Sequence, residues 1–506
     1  MEYTVLHLFA GIGGAALGMQ EAVEEYRGMV GRFRTLAGID CDPAACRDFE
    51  MLTGAPAVQM DLFSRDDYIA FHGSEPPAGW REVAPEDLLE ATGGICPDVL
   101  FTSPPCKGFS GLLPSKSAAS EKYQALNRLT VRGLKLALEA FADDMPGIII
   151  LENVPRITTR GASLLDKIKR LLKSHGYLFH EGYHDCGEIG GLGQRRKRYL
   201  LIARHPDKIK NFVYQPPQLQ LKSIGEVIGP LPLPDDPAGG AMHRLPRLQW
   251  KTWVRLALIP AGGDWRDLEK ISPGQYQLEY LPRGGGSFGV QSWDKPAGTV
   301  VGNIKVNGSN AANIADPRTG FADSTHTAIY RVNKWDEPAR TITGANRPNN
   351  GAICIADPRL GCKCRDGSMG VQAWDQPGKT VTGSGDIHSG AAAVADPRIP
   401  ADTESGVWVI IAPDGTWHRP LTTWELMALQ GFPLYHPDGN PVVLAGSSDA
   451  KWRERIGNAV PPPAAKAIGQ QILRALLLSA ADAWELSNEP IWVLPNEKVN
   501  EVVLHD

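Results

Sequence analysis

Short apolar runs and longer stretches of helical periodicity alternate over the first 212 residues. The runs that read as strands are Thr4–Leu8, Thr35–Ile39, Val58–Met60, Val99–Thr102, Ile148–Glu152 and Tyr199–Ala203. Between them, apolar residues recur at helical spacing over Ala15–Arg27, Pro43–Leu52, Lys122–Phe141 and Gly161–His175. Residues 64–95 are polar and proline-containing and read as a surface excursion. Strands that alternate with helices predict an α/β domain built on a mostly parallel sheet. In such sheets ligands bind beyond the carboxyl ends of the strands.

The pattern changes near Pro216. From there to about His418 prolines and glycines are dense and long helical patterns are scarce. This region contains an internal repeat. Val290–Val300, Val332–Ile342 and Val371–Val381 share a Trp-Asp-x-Pro core followed by Thr-Val or Thr-Ile, and each copy ends in Ala-Asp-Pro-Arg, at 315–318, 356–359 and 395–398. Trp293, Trp335 and Trp374 stand 42 and 39 residues apart. A period of that size marks stacked supersecondary units. Each unit reads as a turn at Asp-x-Pro, a Thr-rich strand, a Gly/Asn loop and a second strand closed by Asp-Pro. Beyond the repeats, Leu421–Leu429 reads as a short helix and Pro461–Ala481 as a long one, with its prolines where a first turn tolerates them.

With 506 residues, 42% of them hydrophobic, the chain suits two or more domains with a large core. No apolar run is long enough to span a bilayer, and no signal peptide is evident. Eight cysteines lie scattered without a disulfide framework, which fits a reducing, intracellular setting. Cys354, Cys362 and Cys364 cluster, but without a fourth ligand at suitable spacing they read as packing rather than zinc. The net charge of −5 argues only mildly against nucleic acid, because charge is segregated. Arg195, Arg196, Lys197, Arg198, Arg204, Lys208 and Lys210 form one basic group, and His243, Arg244, Arg247, Lys251 and Arg255 a second. Part of the first is expected to face phosphate.

The candidate chemistry lies at the strand ends. Thr102-Ser103-Pro104-Pro105-Cys106 sets a thiol beyond the run Pro97–Phe101. Phe9-Ala10-Gly11-Ile12-Gly13-Gly14 follows the first strand, and Glu152-Asn153-Val154-Pro155 ends the fifth. Gln194-Arg195-Arg196-Lys197-Arg198 leads into the sixth, and Gln430-Gly431-Phe432-Pro433 and Gly457-Asn458-Ala459-Val460-Pro461 lie near the end. Taken singly each has a plain reading: most cysteines are small buried hydrophobes, and a strand-end glutamate often caps a turn. Together and in this order they do not. The set resembles the DNA (cytosine-5) methyltransferase family of bacteria and phages, over about residues 3–212 and 418–475. Amino-group methyltransferases follow Ser-Pro-Pro with an aromatic residue. Here Cys106 follows instead, which favours methylation of carbon.

The resemblance implies a Rossmann-like, mostly parallel sheet with an inserted, β-rich target-recognition region. Residues 1–212 and 418–487 would form the catalytic domain, 213–417 the insert and 488–506 a tail. It implies transfer of a methyl group from S-adenosylmethionine to C5 of a flipped-out cytosine in duplex DNA, through a covalent bond from Cys106 to C6. Glu152 would act at N3, and Arg198 would contact the ring. Arg196 and Arg198 would supply positive charge that favours the thiolate. The donor site would comprise Phe9, Gly11, Ile12, Gly13 and Gly14, with Asp40 on ribose, Asp61 and Leu62 at adenine, and Pro105, Asn458 and Val460. No metal is implied. DNA contacts would come from Gln194 and Arg196, from Ser110 in the Gly/Ser-rich stretch Lys107–Ser120, and from the repeat threonines Thr299, Thr341 and Thr380. One repeat is expected to work and two to be structural, with bases read from the loops Asn303–Asn310, Asn346–Asn350 and Ser384–His388. The expected state is a monomer. Two rivals are an RNA cytosine-5 methyltransferase, against which the large insert argues, and a silent DNA-binding relative, against which the set Cys106, Glu152 and Arg198 argues.

Overall fold

The computed structural model describes residues 1–105, 120–245, 248, 250–263, 267–268, 279–281, 290–291, 313–314, 332–333, 354–355, 371–381, 393–398 and 409–484. The chain divides into two compact units. One comprises Met1–Leu278, Gly367–Ile399 and Ile411–Asp506, the other Glu279–Asp366 and Pro400–Ile410.

The first unit is built on a sheet of eight strands: β1 (Glu2–Leu8), β2 (Val23–Tyr26), β3 (Met29–Asp40), β4 (Ala57–Gln59), β5 (Val99–Thr102), β6 (Ile148–Asn153), β7 (Leu178–Asp185) and β8 (Lys197–Arg204). Their order is β2-β3-β1-β5-β6-β8-β7, with β4 also paired to β3. The pairs β1–β3, β1–β5, β3–β4 and β5–β6 are parallel, whereas β8 runs antiparallel to β6 and to β7. The sheet is therefore mixed but mostly parallel.

Central strands are apolar on both faces, and alternation divides them between two cores. Leu6, Leu8, Leu100, Ile149, Leu151 and Leu201 face helices Glu121–Ala140 and Ala162–Ser174. Val5, Val99, Ile148, Ile150, Leu200 and Ile202 face the late helix Pro462–Ala480. That helix also packs on Gly14–Glu21 so closely that a Cβ on Gly18 would stand 2.1 Å from the Pro462 carbonyl oxygen.

Four local readings change. The helix expected over Ala15–Arg27 ends at Glu21, because Arg27 (φ 49°) and Gly28 (φ 80°) make a two-residue turn that folds Val23–Tyr26 back on β3. The excursion at 64–95 contains helices Arg65–His72, capped by Ser64, and Pro85–Ala91. Edge strand β7 was not expected, since half of its residues are exposed and it lacks an apolar run. In the third repeat the Thr-rich segment is not a strand. The paired strands are Val371–Gln372 and Ala393–Val394, in parallel, as are Val290–Gln291 with Asn313–Ile314 and Val332–Asn333 with Cys354–Ile355 in the other unit. No helix among the described residues is long and apolar enough to cross a membrane.

Candidate active site

The carboxyl ends of β1, β3, β5 and β6 are brought side by side by register: Leu8 pairs with Ile39 and with Thr102, and Thr102 with Leu151. The chain therefore leaves β5 through Ser103, Pro104 and Pro105 beside Glu152. Ser103 donates from Oγ to the Phe9 carbonyl at 3.2 Å, tying this exit to the glycine loop. Cys106 and Ser110 lie outside the described residues, as do Thr299 and Thr341.

Glu152 is buried at the end of β6, and Arg198 reaches it from β8 with Nε 2.9 Å from Oε1. Their side chains are 9% and 12% exposed, so the pair is largely shielded from bulk water. Arg198 also donates from Nη1 to the Lys197 carbonyl at 2.9 Å. His184 stands opposite Arg198 in the β7–β8 register. Burial, helped by the Arg198 charge, pushes its imidazole down to about 4, so it is neutral at physiological pH.

The glycine loop has the shape of a cradle. Gly13 adopts φ 83°, and a Cβ there would press on Phe49 at 2.8 Å. Gly14 starts the helix against the Val460 carbonyl oxygen, 2.1 Å from where its Cβ would stand. Around Gly11, by contrast, nothing lies within 4 Å of that point. The Gly11 amide donates to Asp40 Oδ2 at 2.8 Å, and burial raises the Asp40 carboxyl above its usual range. Asp61 accepts from the Phe63 amide at 3.1 Å and from Trp80 Nε1 at 3.3 Å. It lines a cavity of about 700 Å³ with Cys41, Val58, Tyr68 and Trp80. Open space over a strand-to-helix glycine turn, with a carboxylate at the ends of two neighbouring strands, fits an adenosine-bearing cofactor.

The model of the C-5 cytosine-specific DNA methylase family matches residues 3–234 and 312–474. The chain belongs to this family. Among relatives of this methylase is the Type II methyltransferase M.Eco47II of Escherichia coli, 24% identical over 310 residues, 59% of this chain and 63% of that protein. M.PspPI of Psychrobacter sp. (strain TA137) is 24% identical over 309 residues, 59% of this chain and 64% of its own length. M1.HphI of Haemophilus parahaemolyticus is 23% identical over 316 residues, 60% of this chain and 72% of its own. The methylase thus spans somewhat under two thirds of the first two.

Several expected site residues have packing or hydrogen-bonding partners within the protein. Arg196 does not face the site or solvent. It is 1% exposed and donates from Nη1 to the Val381 carbonyl at 3.0 Å, and from Nη2 to the carbonyls of Gly457 at 3.0 Å and Ala459 at 2.8 Å. Gln194 is fully buried and accepts from the Val381 amide at 3.0 Å. The alternating face of this segment thus turns inward at Gln194 and Arg196, and neither is a phosphate contact. Arg195 and Lys197 are exposed. Ile12 and Val460 are core residues, as is Leu62. Asn458 is exposed at the end of helix Asp449–Asn458. Phe9, at φ 55°, sets its ring over Gly133.

The basic groups divide as well. β8 runs from Lys197 to Arg204, and Arg204 pairs with Ile148 at the opposite end of the strands from Glu152. Lys208 and Lys210 there pair with Asp144 and Asp482. His243 is buried between Thr422 Oγ1 and the Pro232 carbonyl, each at 2.9 Å. A buried ionic cluster was missed. Arg419 donates to Asp396 and Glu425, all three fully buried, and Asp396 also holds Arg398. The turn signature Thr422-x-x-Glu425, a capping box, was its one legible part.

Proposed function

We propose that this methylase transfers a methyl group from S-adenosylmethionine to C5 of cytosine in duplex DNA. The observation that carries the reading is the shielded Glu152–Arg198 pair, 2.9 Å apart, where the chain leaves β5 toward Cys106. Cytosine C5 is a poor nucleophile. A thiolate at Cys106 would bond to C6, and the C5–C6 π electrons would shift toward N3. Glu152 would deliver a proton to N3, and Arg198 would hold that carboxyl in place and bind the base by its edge. C5, now enamine-like, would gain the methyl group. Loss of the C5 proton, return of the N3 proton to Glu152 and departure of the thiolate from C6 would then restore the ring. Since C6 is inaccessible in a stacked duplex, the base is taken to be flipped out.

Asp40 and Asp61, with the open face of Gly11, would hold the cofactor; Asp40 is suited to ribose hydroxyls. S-adenosylmethionine supplies an electrophilic methyl group when bound. The test is bisulfite sequencing of DNA and of RNA from cells producing the wild-type chain or Cys106→Ser. Methylated cytosines at one sequence context in the first and none in the second are expected. Equal methylation in both would reject the covalent role, and methylation confined to RNA would replace DNA as the substrate.

A further inference from the structure

The three repeats differ at one position that matters for the active site. In the third, Gly378 lies in a parallel bridge with Gln194. Its amide donates to the Gly193 carbonyl at 2.7 Å, and its carbonyl accepts from the Arg195 amide at 2.7 Å. Thr380 Oγ1 donates to the Arg195 carbonyl at 2.8 Å. The Val381 amide and carbonyl hold Gln194 and Arg196. Gly193–Arg196 is therefore fixed along its length by residues 378–381. Two residues later comes Arg198, the partner of Glu152.

A Cβ on Gly378 would stand 3.1 Å from the Gly193 carbonyl oxygen and 3.3 Å from Gln372 Oε1. Both are tighter than ordinary contact. The first and second repeats carry Ala297 and Ala339 at this place. The third repeat is thus the copy whose sequence fits the ladder. Its other repeated residues tie the same repeat to neighbouring segments of its unit. The Trp374 carbonyl accepts from the Gly225 amide at 2.6 Å, Asp396 binds buried Arg419, and Arg398 donates to the Leu231 carbonyl at 2.8 Å.

We propose that the third repeat is the positioning unit of the active site: Gly378 and Thr380 hold Gly193–Arg196 and, through that run, set Arg198 against Glu152. Thr380 is thereby a positioning residue, whose hydroxyl is engaged within the protein. The inference rests on the methyltransferase reading, and the test separates the two by using one readout that needs no turnover.

Full-length wild type, Gly378→Ala, Thr380→Ala and Thr380→Ser are compared for kcat and KM on methylatable DNA, and for hydrogen exchange of the Arg195–Arg198 amides. A displaced catalytic pair should lower kcat about tenfold or more in the two alanine variants, with donor KM within about twofold. Amide exchange should rise in the same segment. Thr380→Ser keeps the donor hydroxyl and should recover most of the loss. Unchanged exchange, kcat within about twofold of wild type in both alanine variants, or an equal fall from the matching change at Thr341 each overturns the proposal. Absence of turnover in the wild type would instead reject the methyltransferase reading, and the exchange measurement would still decide the ladder.

Discussion

His7, one residue before the end of β1, is the clearest place to test the energetics of this fold. Its ring is 1% exposed between Phe101 and Phe49, and neither ring nitrogen has a hydrogen-bond partner among the described residues. Burial pushes its pKa from 6.5 down to about 3. His7→Leu should remove the desolvation penalty of an unpaired polar ring, a gain of about 1–3 kcal/mol at pH 7.5. The pH dependence adds a second, independent number. Between pH 3 and 6.5 the unfolded chain holds a proton on His7 that the native chain does not. Stability therefore rises with pH across that window and is complete above it. On acidification from pH 7.5 to pH 5.0 the wild type should lose about 2 kcal/mol from this residue alone. His184, pushed down to about 4, adds its own loss in both proteins. The difference between variant and wild type isolates His7. Urea unfolding at the two pH values, read by far-UV circular dichroism, should give an advantage for His7→Leu that grows by about 2 kcal/mol at the lower pH. An advantage that stays constant with pH, or a variant less stable than wild type at pH 5.0, refutes the reasoning.

Other outcomes follow from the same geometry. Glu152→Gln should slow methyl transfer by roughly 10² or more, the usual scale of acid–base catalysis, in single-turnover assays. A near-wild-type rate would reassign Glu152 to structure. Arg198→Ala should damage kcat more than DNA affinity, because its partner is Glu152; the reverse would make it a phosphate contact. Arg196→Ala strands three buried carbonyls and should cost about 3 kcal/mol or more of stability by urea unfolding. A variant that is fully stable but weak on DNA would restore the phosphate role. DNA affinity should fall steeply with salt in titrations from low to physiological ionic strength, despite the net charge of −5. A flat response would contradict a basic contact surface.

The central strands were legible because burial on both faces leaves runs such as Ile148–Leu151 with no polar residue to confuse the period. β7 was not, since Leu178–Asp185 borders the sheet and half of its residues are exposed, without an apolar run. Among the candidate site residues, Glu152 and Arg198 were legible as strand-end groups. Their pairing came from the antiparallel register of β6 and β8, which spacing alone does not encode. The face shared by Gln194, Arg196 and Arg198 was legible from alternation, but its direction was not. Val381, Gly457 and Ala459 decide it, 185 to 263 residues further along. Charge type was a poor guide for the same reason: an arginine that satisfies three carbonyls looks, in a sequence, like one that meets phosphate.

The contact of Gly14 with Val460 and of Gly18 with Pro462 has a consequence for how the protein is made. The first helix after β1 has its small-residue face filled by a segment that emerges from the ribosome more than 440 residues later. At about 5–20 residues per second, the amino-terminal half waits roughly 20–90 s with that face bare. Throughout that interval the apolar side chains that later meet Pro462–Ala480, Val5 and Phe33 among them, are exposed to other nascent chains. Slower elongation should lower its soluble yield, and the glycine loop should close only after the segment Val460–Ala480 has emerged.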